Sequence, residues 1–489
     1  MKFQLKNVGK IKDAEFELKP LTVFIGANGS GKTYAASALW GIMNYLENNI
    51  KNSNVKDLFP AEFYEEIYQK VESELLKLDN LQEIYIKFSI DEIQEIDKYI
   101  QENIFNNSAN ILNELFGFDG FRQSHLNITN ELNSEHETNC YWTSFFYEDK
   151  DYWEFKANKE SIKQKYLIPI NKHDSIAVLS YIKDLDKYSK GITRLMLSGG
   201  LITEDFVNIV LTDVIFSMYF LSLKRLLGFG NVLYIPAART GLMFITHDIV
   251  QSQFESINNF SFNKRSNKLR NNDLTAPLND FIAKIHNASR PKSELNTENQ
   301  SFNQIMGGKL VQREGQYRFD FQPNGLEQTV PLSASSSLVT ELAALSALEE
   351  NIGYGTFIIL EEPEAHLHLS AQREMAKLIV RLINEKKCRI LLTTHSDTFL
   401  QQINNLIMLE KLSRHNENAL ADFGIQAAEV IAADDVAVYD FQCVGNETRV
   451  ENLACGEYGF VAKSMNDVLI ALAKETQSII EQIDDLEAE

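Results

Sequence analysis

Residues 26–33 read Gly-Ala-Asn-Gly-Ser-Gly-Lys-Thr, directly after the unbroken apolar run Leu21-Thr22-Val23-Phe24-Ile25. That order leaves few folds open. A short continuous apolar run is a strand buried on both faces, as in a parallel sheet covered by helices. From Tyr34 to Leu46 apolar residues recur at helical spacing, so a helix follows the turn. The pattern G-x-x-x-x-G-K-[ST] between a buried strand and a helix is a phosphate-cradling loop. Its glycines let the backbone curl until N–H groups point inward, and the helix adds the positive end of its dipole. Lys32 neutralises the outer phosphates, and Thr33 offers a hydroxyl to magnesium. The expected nucleotide-binding residues are therefore Gly26, Asn28, Gly29, Ser30, Gly31, Lys32 and Thr33, with ATP and Mg2+ as cofactors.

A second apolar strand, Thr356-Phe357-Ile358-Ile359-Leu360, ends in Glu361-Glu362-Pro363-Glu364-Ala365-His366-Leu367-His368. A carboxylate at a strand tip beside a phosphate loop holds magnesium, and a second one orients the attacking water. Glu361 is read as the metal-side acid, with Thr33, and Glu362 as the catalytic acid that polarises water. His366 and His368 are two apart with no third ligand nearby, which favours packing or dimer contacts over zinc. A helix starting at a Ser370 cap leads to the strand Arg389–Thr394, and His395 stands at its end, where a histidine reaches the terminal phosphate. Leu332-Ser333-Ala334-Ser335-Ser336-Ser337-Leu338 is a serine-rich turn opening a helix. Such serines cap the helix or meet a phosphate across an interface.

The remaining sequence bounds the class. At 489 residues the chain exceeds one ordinary domain, and 44% apolar with 24% charged residues is globular composition. Residues 1–47 and 231–415 read as two lobes of one α/β head. A mostly helical insertion with some strand spans 48–230, including helices near Ala61–Leu78 and Asp91–Phe116 and a buried helix at Phe206–Leu227. A mobile loop with a short helix covers about 256–303, and a strand and an acidic-ended helix extend the chain over 416–489. Phe206–Leu227 is broken by Asn208, Asp213 and Lys224, and the N-terminus carries no signal-peptide pattern, so no membrane association is expected. The four cysteines show no zinc spacing and read as reduced thiols of a cytoplasmic protein. A net charge of −21 disfavours binding along a nucleic-acid backbone, although Lys264–Arg270 is a local basic segment.

Taken together, GANGSGKT at 26–33, ILEEPEAHLH at 359–368 and TTHSD at 393–397 resemble the ATP-binding-cassette ATPases of the chromosome-maintenance and DNA-repair type. The resemblance covers roughly residues 1–45 and 300–415. It implies an ABC-type P-loop ATPase head that pairs with a second head as a homodimer or higher even-numbered homo-oligomer. In such pairs a signature serine completes the partner's site. Here Ser335, Ser336 and Ser337 stand at that place, without the family's glycine pair. The EEPEAHLH wording is most similar to the overcoming-lysogenization-defect ATPases and to the ATPase subunits of the Septu and PARIS anti-phage systems. Tyr234–Gly241 is similar to an arginine-bearing turn in those proteins, where Arg239 touches nucleotide or partner, or pins the core through a carboxylate. The tail after Leu409 holds Asp434, Asp435 and Asp440 but no D-x-D, so the Toprim nuclease site of some relatives is not expected. Asp184 and Asp186 form a D-x-D in a Lys-rich helical stretch, read as a solvated face. The resemblance thus implies a regulatory ATPase gating a separate effector nuclease or toxin. The alternative is a DNA-repair ATPase that clamps duplex DNA directly.

Overall fold

The computed structural model describes residues 1–52, 59–75, 84–88, 90–129, 139–145, 152–158, 211, 215, 231–246, 274–289, 300–312, 319–416 and 418–488. The expected Phe206–Leu227 helix, apart from Leu211 and Ile215, lies outside them. So do the basic segment Lys264–Arg270, the pair Asp184 and Asp186, and most of 256–303.

In chain order the elements are β1 (Lys2–Val8), β2 (Ile11–Glu17), β3 (Leu21–Gly26), α1 (Lys32–Asn52), α2 (Ala61–Leu75), β4 (Ile84–Phe88), α3 (Ile90–Phe116), β5 (His125–Thr129), β6 (Asn139–Phe145), β7 (Tyr152–Asn158) and β8 (Val232–Ile235). They continue with α4 (Ala276–Ala288), α5 (Gln300–Met306), β9 (Gly308–Gln312), β10 (Phe319–Pro323), β11 (Val330–Pro331), α6 (Ser337–Leu348), β12 (Phe357–Glu361), α7 (Leu369–Lys386), β13 (Arg389–Thr394), α8 (Asp397–Ser413), β14 (Val436–Val444), β15 (Glu447–Leu453) and α9 (Lys463–Ala488). The fold is mixed α/β and divides into two units. One comprises 1–43, 106–128 and 229–489, and the other 44–105 and 129–228.

The first unit is built on a nine-stranded sheet of order β5-β1-β2-β15-β14-β3-β13-β12-β8. From β14 to β8 all neighbours run parallel, and β1 with β2 and β14 with β15 are antiparallel hairpins. The central parallel strands carry the longest buried runs, as burial on both faces requires: β3 and β12 are buried at every position. β14 and β15, from the chain's last segment, are full members of the sheet, and β14 lies directly beside β3. Phe16, Phe24, Tyr439 and Phe441 pack together across these strands, with ring centroids 4.9–5.9 Å apart. On the sheet's parallel part, a single core gathers Leu342, Leu345, Met375, Ile379, Phe399 and Ile403 from α6, α7 and α8. Helix α7 begins at Leu369, and its cap is His368, whose ring nitrogen accepts from Ser370 N; Ser370 is therefore inside the helix rather than its cap.

The second unit holds α2, most of α3 and a three-stranded antiparallel sheet of order β4-β6-β7. Phe59, Phe63, Ile67 and Val71 recur every fourth residue and are buried, as are Ile96, Ile100 and Ile104. That spacing is one face of a helix. The Tyr99 ring packs against Phe59 and Phe63, closing the seam. Among the described residues no helix is long and apolar enough to cross a membrane.

Candidate functional site

Four parallel strands, β3, β13, β12 and β8, end at the same edge of the sheet, where open α/β sheets bind ligands. The loop after β3 needs its glycines. Gly26, Gly29 and Gly31 all adopt positive φ, and a Cβ on Gly26 would run into the carbonyl of Phe441 on the adjacent β14. The tail strand thus buttresses the loop from below. Lys32 opens α1 and is buried; its ammonium donates to the carbonyls of Gly26 and Ala27, each at 2.9 Å. Burial lowers its pKa from 10.5 to about 8, against the opposing pull of Glu362, Glu364, Cys443 and Asp440.

Glu361, the last residue of β12, is buried, and its Oε2 accepts from Ala237 N at 3.1 Å. Burial pushes its pKa up, while Ala237 N–H and the hydroxyls of Thr33 and Tyr234 favour the ionised form. The Tyr234 hydroxyl is shared with Ser37 Oγ at 2.9 Å, and Oε1 of Glu361 is left buried without a hydrogen bond of normal geometry. An orphaned carboxylate oxygen next to the Thr33 hydroxyl is a donor set that suits magnesium. That ion keeps most of its shell as water and phosphate and takes one or two protein oxygens. Among the described residues no group of three or more His, Cys, Asp or Glu side chains forms a metal cage.

Glu362 leaves the strand at φ 42°, a conformation side-chain-bearing residues seldom adopt. Its backbone is held from both sides: Glu362 N donates to Thr393 O at 2.9 Å, and Arg239 Nη2 donates to Glu362 O at 3.0 Å. The turn carries the carboxylate outward, 40% exposed, to within 3.4 Å of His395 Nε2. Burial and the nearby Lys32 charge lower the His395 pKa below its ordinary value, against Glu362 and Glu364. The two residues read as catalytic from sequence are therefore brought together above the phosphate loop.

Three contributors were not singled out in the sequence. Glu364 Oε1 accepts from Thr394 Oγ1 and from His395 N, both at 2.7 Å, and so fixes the turn that presents His395. Its only sequence signal was a third acid in the Glu361–His368 run. Gln372, on α7, accepts from Ser396 Oγ at 2.6 Å and braces the other side of that turn. Tyr234 joins β8 to Ser37 on α1.

Arg239 is fully buried. Its guanidinium donates to Glu361 O at 2.8 Å and Glu362 O at 3.0 Å, and its Nε lies 3.0 Å from Glu341 Oε2, off the hydrogen-bond axis. Of the roles its position in the sequence left open, the structure supplies the core pin through a carboxylate. Glu341 is on α6, the helix that Ser336 caps by accepting from Val339 N at 3.4 Å. Ser336 and Ser337 are exposed at the start of that helix, and Ser335 Oγ donates to Pro331 O. One buried arginine thus ties the acid-bearing turn to the serine-bearing helix. Arg239→Ala is expected to cost about 3–5 kcal/mol, because Glu341 is left buried and unpaired. Urea unfolding measures it, and Arg239→Lys should recover little, since one ammonium cannot satisfy two carbonyls and a carboxylate in a fork.

The family model described as AAA ATPase domain matches residues 1–400. Comparison with curated proteins gives no match. Among solved structures, the chain is similar to an SMC head bound to the C-winged helix domain of ScpA, at 11% identity and TM-score 0.32, covering 93% of this chain and 97% of that one. It is similar to the SMC head domain from Thermotoga maritima, at 11% identity and TM-score 0.30, covering 93% and 98%. A third is the Pyrococcus furiosus Smc head with an extended coiled coil, bound to the C-terminal domain of ScpA, at 14% identity and TM-score 0.30, covering 99% and 98%.

Proposed function

The chain belongs to the AAA ATPase domain family, and from that membership we propose that it binds ATP with Mg2+ and hydrolyses it as an ABC-type head that works in pairs. The observation that carries this reading is the meeting of Glu362 and His395, 3.4 Å apart, over the loop that holds Lys32. Lys32 and the inward N–H groups of residues 26–33 bind the phosphates. Thr33 and Glu361 would hold the magnesium ion, which when bound neutralises charge on the phosphate oxygens. Glu362 takes up a proton from the attacking water as general base. His395, whose neutral form is favoured by burial and by Lys32, orients that water while Glu364 fixes its backbone. Arg239 holds the carbonyls behind both acids, so the unusual turn at Glu362 stays in place.

Exposed Ser336 and Ser337, with Ser335 beside them, supply the signature contact to the phosphates of a second copy. The test is mixing. Ser336→Arg/Ser337→Arg chains and Lys32→Ala chains should each be inactive alone, and mixed they should regain part of the wild-type turnover. One composite site per mixed pair then contains both intact halves. No recovery, with mixed pairs shown to form, would count against the trans contact.

For the biological role we propose a cytoplasmic regulatory subunit of an anti-phage defence system, whose ATP-driven closure gates a separate effector nuclease or toxin. The wording of residues 359–368 supports this reading, as does the net charge of −21, which disfavours direct capture of a nucleic-acid backbone. Cleavage or toxicity is then a property of the effector and is not carried by this chain.

A further inference from the structure

Helix α9 runs unbroken over Lys463–Ala488, 26 residues or about 39 Å. From Ile470 to Ile483 every residue is exposed, including Leu472, Ile479, Ile480 and Ile483, each about half accessible. An apolar face left open over about four helical turns is not how an ordinary surface helix is built. Its sequence has a stricter order than amphipathicity. Met465, Leu469, Leu472, Thr476, Ile479, Ile483 and Leu486 alternate at spacings of four and three. This is the a/d repeat of a coiled coil. No charge enters the seam, Ala473 and Ile480 widen it on one flank, and Ile470 falls outside it.

We propose that α9 is a self-association helix that pairs antiparallel with α9 of a second copy of this chain. Charge decides the direction, and the self-complementary spacing of the seam decides the occupant. The end of the helix sequence carries Asp484, Asp485 and Glu487, and its start carries Lys463 and Asp467, so the net negative charge lies at one end. Parallel pairing would gather both acidic ends at one place, and like charges in contact are destabilising. Antiparallel pairing separates them by the helix length and brings each toward the other copy's Lys463. In that register Leu469 opposes Leu486, Thr476 opposes Ile479, and Ile483 opposes Leu472. On the flanks Ala473 meets Ile480 and Glu475 meets Gln482, so no like charges oppose. An isologous contact of this kind closes on itself with two-fold symmetry. It is separate from the nucleotide site and does not depend on the reading of that site.

The experiment uses the full chain carrying Lys32→Ala and no nucleotide, so that pairing through ATP cannot contribute. Sedimentation should give twice the chain mass. Leu472→Glu/Ile479→Glu should reduce it to one chain mass with unchanged helical circular dichroism, and the off-seam control Ile470→Glu should not. A single-chain mass for the parent, or a seam variant that stays dimeric, would overturn the proposal. Direction is read from cysteines placed in a Cys140→Ser, Cys443→Ser, Cys455→Ser background. Leu469→Cys mixed with Leu486→Cys should cross-link between the two. Cross-linking of Leu469→Cys with itself would overturn the antiparallel arrangement, because those positions would then lie about 25 Å apart.

Discussion

Lys32→Ala is expected to weaken ATP binding by about 10²-fold, since hydrogen bonds to charged groups are worth about 1.5–3 kcal/mol and this ammonium meets several phosphate oxygens. The effect is specific to binding. Lys32 is buried, and its lowered pKa says that the folded chain holds the charge at a cost. Its removal relieves that cost, so the fold should lose little stability even though the carbonyls of Gly26 and Ala27 lose a donor. Titration with a fluorescent ATP analogue, alongside urea unfolding, separates the two. Near-normal affinity in a folded variant would remove the loop from the nucleotide site.

The largest effect on chemistry is expected at Glu362. Glu362→Gln keeps the shape of the side chain but not its basicity, and loss of a general base costs about 10²–10⁴ in rate. Binding should persist, because the substituted group is the exposed acid of the pair and Lys32, Thr33 and Glu361 are untouched. Heads that bind without hydrolysing should accumulate in the closed pair. Glu361→Gln should behave differently: it neutralises the buried acid beside Thr33 and should lose the magnesium dependence of binding. If Glu361→Gln accumulated closed pairs and Glu362→Gln turned over normally, the roles of the two acids would be reversed.

The parts of the site legible in the sequence are those encoded by local pattern. β3, β12 and β13 show as continuous apolar runs because they are buried on both faces, and the residues ending each run are placed by the strand itself. Lys32, Glu361, Glu362 and His395 follow from that. What holds them is encoded by contacts far apart in the chain. Glu364 reaches Thr394 and His395 across 30 and 31 positions, and Arg239 reaches Glu361 across 122. No periodicity announces such pairs. The strand expected within 416–489 is readable as a strand, found as β14, but its neighbour is not. Parallel pairing beside β3 is a choice among sheet edges, settled by backbone hydrogen bonds and by the packing of Tyr439 and Phe441 on Phe16 and Phe24. The cap of α7 shows the same limit on a smaller scale. Ser370 has the residue type, but the extended backbone at His368 makes that residue the cap.

The most direct measurement is the identity of the nucleotide recovered from the protein after long incubation with ATP and Mg2+. Wild-type chain and Glu362→Gln are incubated to completion, separated from free nucleotide, denatured, and the extract resolved by chromatography. ADP should be recovered from the wild type and uncleaved ATP from Glu362→Gln, in comparable amounts per chain. ADP from both would contradict the assignment of Glu362 as the residue that activates water, and ATP from both would contradict hydrolysis by this chain.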